Sequence, residues 1–375
     1  MPFPDGNGSG LGIVYLEHHI RKRITKPVFL GPVQIGGEAP VVVQSMTCTD
    51  TRNVKTTVTQ ILALENAGCE IVRVAVPDME AAATLKVIRK QIRIPLIADI
   101  HFNHRLALEA IKNGVDGIRI NPGNMGAEKV RIIVNAAKIR NVAIRIGINA
   151  GSLEKELYSK YGRATPEALV ESALRSITLF EEMDFTALKV SLKSSDVNTM
   201  IEACRLFSEQ SDYPLHLGVT EAGTLTSAAI KSSIGIGALL HEGIGDTIRV
   251  SVTGDPVSEI GIAYGILRAL KIRRIGPDII SCPTCGRCEI DLFKLSEVVE
   301  NKLAGMKSYL RIALMGCVVN GPGEAAEADI GIAGGRGFGM LFKKGRVIRK
   351  IREADFVPVL MEEIERMLQL ENTQS

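Results

Sequence analysis

No stretch of the 375-residue sequence approaches the roughly 18 continuous apolar residues of a membrane span, and its opening MPFPDGNGSG has proline and glycine where a secretion leader has an apolar core. An excess of one charge is missing too. The 45 basic and 42 acidic residues leave a formal net charge of +3, which excludes a general field for nucleic acid or membrane surfaces, so any basic site must be local. No GxGxxG turn follows the first strand-like run, which argues against a dinucleotide fold. The glycine-rich GIAGGRGFGM (331–340) lacks the Lys-Ser/Thr of a phosphate loop and reads as a turn between strands. With seven cysteines and no leader, the expected compartment is the cytoplasm, where clustered thiols bind metal more often than they form disulfides.

What is present is ordinary in bulk, with 46% hydrophobic and 23% charged residues, but the length exceeds one usual core and points to two domains. A module recurs along the first two thirds: a helix-like stretch, a small or glycine break, an acidic residue, then a β-branched run with a basic residue inside it. It is clearest in ENAGCEIVRVAV (65–76), IKNGVDGIRIN (111–121) and LLHEGIGDTIRVSV (239–252), and looser in KIRNVAIRIGIN and EEMDFTALKVSLK. With VVVQSM (41–46), PLIADIH (95–101) and PLHLGVT (214–220) this makes eight strands in roughly 250 residues, the arithmetic of a TIM (β/α)8 barrel. An open doubly wound sheet is the competing architecture. The run VFLGPVQIGGEAP before the first strand predicts a hairpin plugging the barrel's N-terminal end. The expected organisation is a flexible tail and lead-in over 1–30, a substrate-binding barrel over 31–272 and a smaller α/β domain over 273–375, closed by a packing helix in DFVPVLMEEIERMLQL.

Strand residues alternate between the helix-facing side and the lumen. In IVRVAV, GIRIN, AIRIGIN, ALKVSLK and TIRVSV the basic residue lies between aliphatic neighbours, so Arg73, Arg119, Arg145, Lys189 and Arg249 should point inward. Two residues further on stand Ala75, Asn121, Gly147, Ser191 and Ser251, with Asn149 and Lys193 one step beyond. Lumen cations are costly unless paired, and the strands supply only Asp99 and, after the seventh, Glu221. Either structural ion pairs balance them, or a phosphorylated or diphosphate substrate does, since guanidinium forks match phosphate oxygens. Glu221 at a strand's C-terminal end is a candidate acid or base; His101 beside Asp99 is a candidate proton or orienting group, or a hydrogen-bonded structural histidine.

Past the eighth strand the composition changes at IISCPTCGRCEIDL. Cys282, Cys285 and Cys288 form C-x2-C-x2-C, and Cys317 follows in MGCVVNGPGEA. Zinc and iron-sulfur sites share such spacing. The fourth cysteine stands in a Gly and Pro rich loop with no second knuckle, which leans towards a cluster. Cys48, Cys69 and Cys204 read as small buried hydrophobes. Two other functions stay open on the residues alone: a phosphate-binding aldolase or transferase using Lys189 as a Schiff-base nucleophile beside structural zinc, and a metal-binding module without catalysis.

The segments SCPTCGRC, MGCVVNGPGEA, QSMTCTDT, LIADIHFN, IRINPGN, IGINAGSLE and LGVTEAG closely resemble the bacterial 4-hydroxy-3-methylbut-2-enyl diphosphate synthase family, nearly end to end. The resemblance implies a TIM barrel that binds 2-C-methyl-D-erythritol 2,4-cyclodiphosphate and a smaller, sulfite-reductase-like domain carrying a [4Fe-4S] cluster. It places the cluster ligands on Cys282, Cys285, Cys317 and Glu324, leaving Cys288 out, where the residues alone pointed to four cysteines. The implied reaction is a two-electron reductive ring opening to a linear allylic diphosphate, with ferredoxin or flavodoxin as donor and Glu324, Glu221 and His101 as catalytic candidates. A head-to-tail homodimer is implied as well, in a short form without the plant relatives' extra domain. On this reading Arg73, Asp99, Arg119, Asn121, Arg145, Asn149, Lys189, Ser191 and Arg249 contact the substrate; neither nucleic acid nor membrane is an expected partner.

Overall fold

A computed structural model describes residues 13–15, 20–101, 103–317 and 325–374. The chain divides into two compact units between Arg273 and Arg274.

The first unit is built on eight parallel strands: β5 (Val42–Met46), β6 (Ile71–Ala75), β7 (Leu96–Asp99), β8 (Gly117–Ile120), β9 (Ala143–Asn149), β10 (Leu188–Lys193), β11 (His216–Leu217) and β12 (Thr247–Ile248). They pair in the order β10-β9-β8-β7-β6-β5-β12-β11. The last seam is joined by a parallel bridge between Val190 and Leu215, where Val190 N donates to Pro214 O at 2.9 Å. This is a TIM barrel and not an open sheet.

Helices between the strands carry a buried apolar stripe, and several carry a side-chain cap. Helix α6 (Pro166–Glu181) shows the local logic: Thr165 accepts from Ala168 N, proline starts the first turn, and Leu169, Ala173, Ile177 and Phe180 recur on one buried face. Truncating Phe180 to alanine would cost about 3–5 kcal/mol by lost burial and the cavity left behind.

The floor of the barrel is closed by the hairpin of β3 (Val28–Leu30) and β4 (Val33–Ile35). Val28, Leu30 and Ile35 pack on Val42, Ile71, Ile97 and Ala143, lumen residues near the strand starts. Gly117 belongs to this layer: a Cβ there would stand 2.5 Å from Leu30 Cδ2, so the plug seats only because that strand begins with glycine.

Within the lead-in expected over 1–30, the described residues from Ile20 onward are tied to the barrel. Strand β2 (Arg21–Arg23) inserts Lys22, buried, 3.5 Å from Asp246 Oδ1. Thr25 Oγ1 donates to the same carboxylate at 2.9 Å, and Leu215 N to its other oxygen. Arg23 donates to the carbonyls of Ser208 and Tyr213 at 3.2 and 3.1 Å. A buried lysine paired with a buried aspartate makes these residues part of the barrel. The segment MPFPDGNGSG lies outside the described residues.

The second unit is a five-stranded sheet in the order β13 (Pro277–Ser281), β14 (Leu310–Met315), β15 (Ile330–Gly335), β16 (Phe338–Lys343) and β17 (Arg346–Arg352). The first three strands run parallel and the last two antiparallel. Helix α10 (Leu292–Leu303) and the C-terminal helix Phe356–Gln374 cover one face, with Leu295, Val299, Ile312, Ile332, Leu341, Phe356 and Leu360 in the core. The glycine-rich run forms the β15–β16 hairpin, its turn at Arg336–Gly337 with Gly337 at φ +71°.

Candidate functional site

Above the apolar floor the lumen becomes cationic within one residue layer. Asp99, Arg119, Arg145 and Lys189 stand side by side on four neighbouring strands, register partners in turn. Arg73, Arg119, Arg145, Lys189 and Lys193 are all buried. Asp99 collects two of them: Arg73 Nε lies 3.4 Å and Arg119 Nη1 3.3 Å from its carboxylate oxygens. Burial alone would raise the Asp99 carboxyl, but Arg73 and Arg119 outweigh it and hold the group down to about 2.

Arg119 lies flat across the next strand. Its Nη2 donates to Gly147 O at 3.2 Å and, in the amide orientation that satisfies both groups, to the Asn149 side-chain oxygen at 3.1 Å. A Cβ on Gly147 would stand 2.3 Å from Arg119 Nε, so glycine makes the crossing possible.

Arg145 is left short of partners, with Nε and Nη1 buried and unbonded. Burial, then Arg73 and Arg119, press its guanidinium well below its usual value. Lys189 is pressed down in the same way by burial, Arg145 and Arg73, and among the described residues its Nζ reaches only Gln44 Oε1, at 3.5 Å. Ser191 Oγ points to Ile146 O at 3.5 Å; Asn121 donates to Ser152 O at 3.4 Å while its Oδ1 is buried without a partner. Buried cations and spare donors in a desolvated lumen are chemically suited to an anion.

At the mouth, His101 is 57% exposed, with Nε2 3.8 Å from Asp99 Oδ1 and Nδ1 3.3 Å from Arg119 Nη1. Burial, together with Arg119 and Arg73, lowers its pKa against the pull of Asp99. Glu221 is exposed just beyond β11 with φ +53°, a left-handed conformation uncommon away from glycine.

Sequence reasoning missed two lumen residues. Arg249 pairs with neither Asp99 nor Glu221: its Nε and Nη2 meet the buried carboxylate of Glu259 at 3.3 and 3.2 Å. Glu259 also accepts from Ser45 Oγ at 2.7 Å and Val252 N at 3.1 Å. It comes from helix α9 (Val257–Ala269), so strand alternation cannot reveal it. The second omission is His216, fully buried, with Nδ1 2.8 Å from Thr247 Oγ1 and Nε2 unpartnered. Burial, then Arg145, Lys193 and Lys189, press its imidazole well below its usual value. The alternation of His216, Gly218 and Thr220 was the available signal.

In the second unit the cysteine loops leave the C-terminal ends of adjacent parallel strands. Cys282 N donates to Leu314 O at 3.3 Å, and Gly316 N to Cys282 Sγ at 3.2 Å, bringing the loop before Cys317 onto the first cysteine. Cys285 is exposed; backbone and side-chain hydrogen bonds from Arg287 lower its thiol pKa. Cys288 differs, since its Sγ donates to Ile290 O at 3.2 Å and packs where a Cβ on Gly316 would stand. Among the described residues no three His, Cys, Asp or Glu side chains converge on one metal position. Glu324 lies outside the described residues. Thiols on two meeting loops fit a thiolate-held metal group, with lowered proton affinity at Cys285 favouring the ligating form. Cys69 and Cys204 are buried with thiols pushed up to about 12, chiefly by burial, while Cys48 is exposed.

A barrel with a buried cationic chamber, followed by an α/β unit with cysteines on two adjacent loops, defines a two-domain enzyme acting on an anionic substrate. Residues 25–264 match the GcpE TIM-barrel domain and residues 278–366 the GcpE protein C-terminal domain. The chain belongs to the GcpE family. It is 59% identical over 348 residues to a Thermodesulfovibrio yellowstonii protein, covering 92% of this chain and all of that one. It is 57% identical to a Maridesulfovibrio salexigens protein, covering 93% and 98%, and 55% to one from Geobacter sulfurreducens, covering 92% and 99%. All three bear the name 4-hydroxy-3-methylbut-2-en-1-yl diphosphate synthase (flavodoxin).

Proposed function

We propose that this chain catalyses the reaction its relatives are named for, the reductive opening of 2-C-methyl-D-erythritol 2,4-cyclodiphosphate to 4-hydroxy-3-methylbut-2-enyl diphosphate. Two electrons are consumed and one oxygen leaves as water. The observation that carries this is the layer of buried cations around Arg145, whose unbonded Nε and Nη1 are donors for a diphosphate. Arg73, Arg119, Arg145, Lys189 and Arg249 with Asn121, Asn149 and Ser191 hold the substrate. Asp99 fixes Arg73 and Arg119 in place, and Glu259 does the same for Arg249. Glu221 and His101 at the mouth are the proton-handling candidates.

A [4Fe-4S] cluster, held by Cys282, Cys285, Cys317 and Glu324, would supply electrons to the ring carbon–oxygen bond. The barrel over 31–272 is then the substrate domain and residues 273–375 the cluster domain. Flavodoxin is the donor, ferredoxin the alternative, and a head-to-tail homodimer is the working assembly. The hydrogen bond from Cys288 to Ile290 O supports leaving it out of the ligand set. The deciding experiment is anaerobic turnover of the cyclodiphosphate with dithionite, following the linear product; a colourless zinc protein that forms none would overturn the proposal. Arg145→Ala should weaken substrate affinity, and unchanged affinity would remove Arg145 from the site.

A further inference from the structure

The second unit carries a feature that neither substrate binding nor the cysteines use. Strand β17 closes the sheet as an edge, and every residue of Arg346–Arg352 except Ile351 is exposed. From Phe338 to Arg352 the sequence holds Lys343, Lys344, Arg346, Arg349, Lys350 and Arg352 and no acidic residue. The whole chain nets only +3, so this hairpin concentrates more positive charge than the protein shows overall and the remainder is net negative. Between the cations lie Val347 and Ile348, 51% and 53% exposed. An apolar centre inside a charged rim is the anatomy of a protein interface, and an uncovered edge strand with apolar side chains is otherwise an aggregation hazard.

Its position in the sheet says what it serves. Met315, Ala333, Met340 and Lys350 are consecutive register partners across four strands. Three strand spacings put Lys350 about 14 Å from Met315, which stands two residues before Cys317. Lys350 is held over the Phe338 ring, 3.6 Å from its centroid, and Arg352 by Asp355 at 2.8 Å.

We propose that the β16–β17 hairpin is the docking surface for the electron donor, a flavodoxin presenting acidic residues around its redox group. This rests on the flavodoxin-dependent reaction proposed above. Charge complementarity of this kind sets the encounter rate and makes it fall with salt.

The test uses the full cluster-loaded enzyme. Reversing charge in R349E/K350E should lower flavodoxin-driven kcat/KM by about tenfold or more at low salt and flatten its salt dependence, while dithionite-driven turnover stays unchanged. The neutral R349Q/K350Q should show a smaller loss with the same split between donors. Flavodoxin-driven turnover that is unchanged in both variants overturns the docking surface. So does equal loss with both donors in the neutral variant, or a change in oligomeric mass, which would make the hairpin a contact between copies. Absence of dithionite-driven turnover in the unaltered enzyme overturns the proposed reaction instead. Docking is then read from direct binding, where the unaltered chain should hold flavodoxin and R349E/K350E should not.

Discussion

Replacing Gly147 with alanine adds one methyl group, and the structure states what it meets: Arg119 Nε at 2.3 Å, Nη2 at 2.9 Å and Cζ at 3.0 Å. Backbone is not in the way, so the guanidinium must move. It is pinned by Asp99 Oδ1 at 3.3 Å and by Gly147 O at 3.2 Å. Hydrogen bonds involving a charged group contribute about 1.5–3 kcal/mol each, and overpacking a filled layer costs about 1–3 kcal/mol. Losing the Arg119 grip at about 3 kcal/mol corresponds to roughly a hundredfold weaker binding of the cyclodiphosphate. The protein should still fold, because a side-chain end yields more easily than a strand. Gly151→Ala is the control, since nothing lies within 4 Å of a Cβ at that position. Calorimetric titration of anaerobic enzyme with substrate reads both variants. If Gly147→Ala binds within about threefold of the unaltered protein while Gly151→Ala behaves the same, Arg119 is not a substrate contact.

The depressed Asp99 carboxyl makes stability pH-dependent. Its folded value of about 2 lies below the ordinary 3.8, so the stabilisation is complete above pH 4 and lost as pH falls towards 2. It amounts to about 2 kcal/mol, and Asp99→Asn should remove that part of the acid-unfolding slope. Glu259→Gln should lower stability by about 1.5–3 kcal/mol in urea unfolding, because Arg249 loses its charge partner in a buried site. Cys288→Ser should retain iron and visible absorbance on anaerobic purification, and Cys317→Ser should lose both; the reverse pattern would make Cys288 the ligand.

The lumen cations were legible because strand periodicity is local: a residue's face follows from its neighbours two positions away. That logic placed Arg73, Arg119, Arg145 and Lys189 in the buried lumen, and the breaks at Gly68, Gly114 and Gly243 located the ends of three helices. It gave no access to Glu259, whose carboxylate reaches Arg249 from a helix, or to the pinning of Arg119 over Gly147 from the neighbouring strand. Nor did it mark Lys22 in the lead-in as buried, because its partner, Asp246, lies at the far end of the barrel sequence.

By itself the sequence determined the barrel and the cationic lumen, since each is written in short-range spacing and residue type. The tertiary structure decided which cations are neutralised and which donors stay free for an anion, and separated Cys288, bonded to Ile290 O, from the other thiols of its loop. Those are questions of partnership between residues far apart in the chain, and burial makes the partner decide the energy.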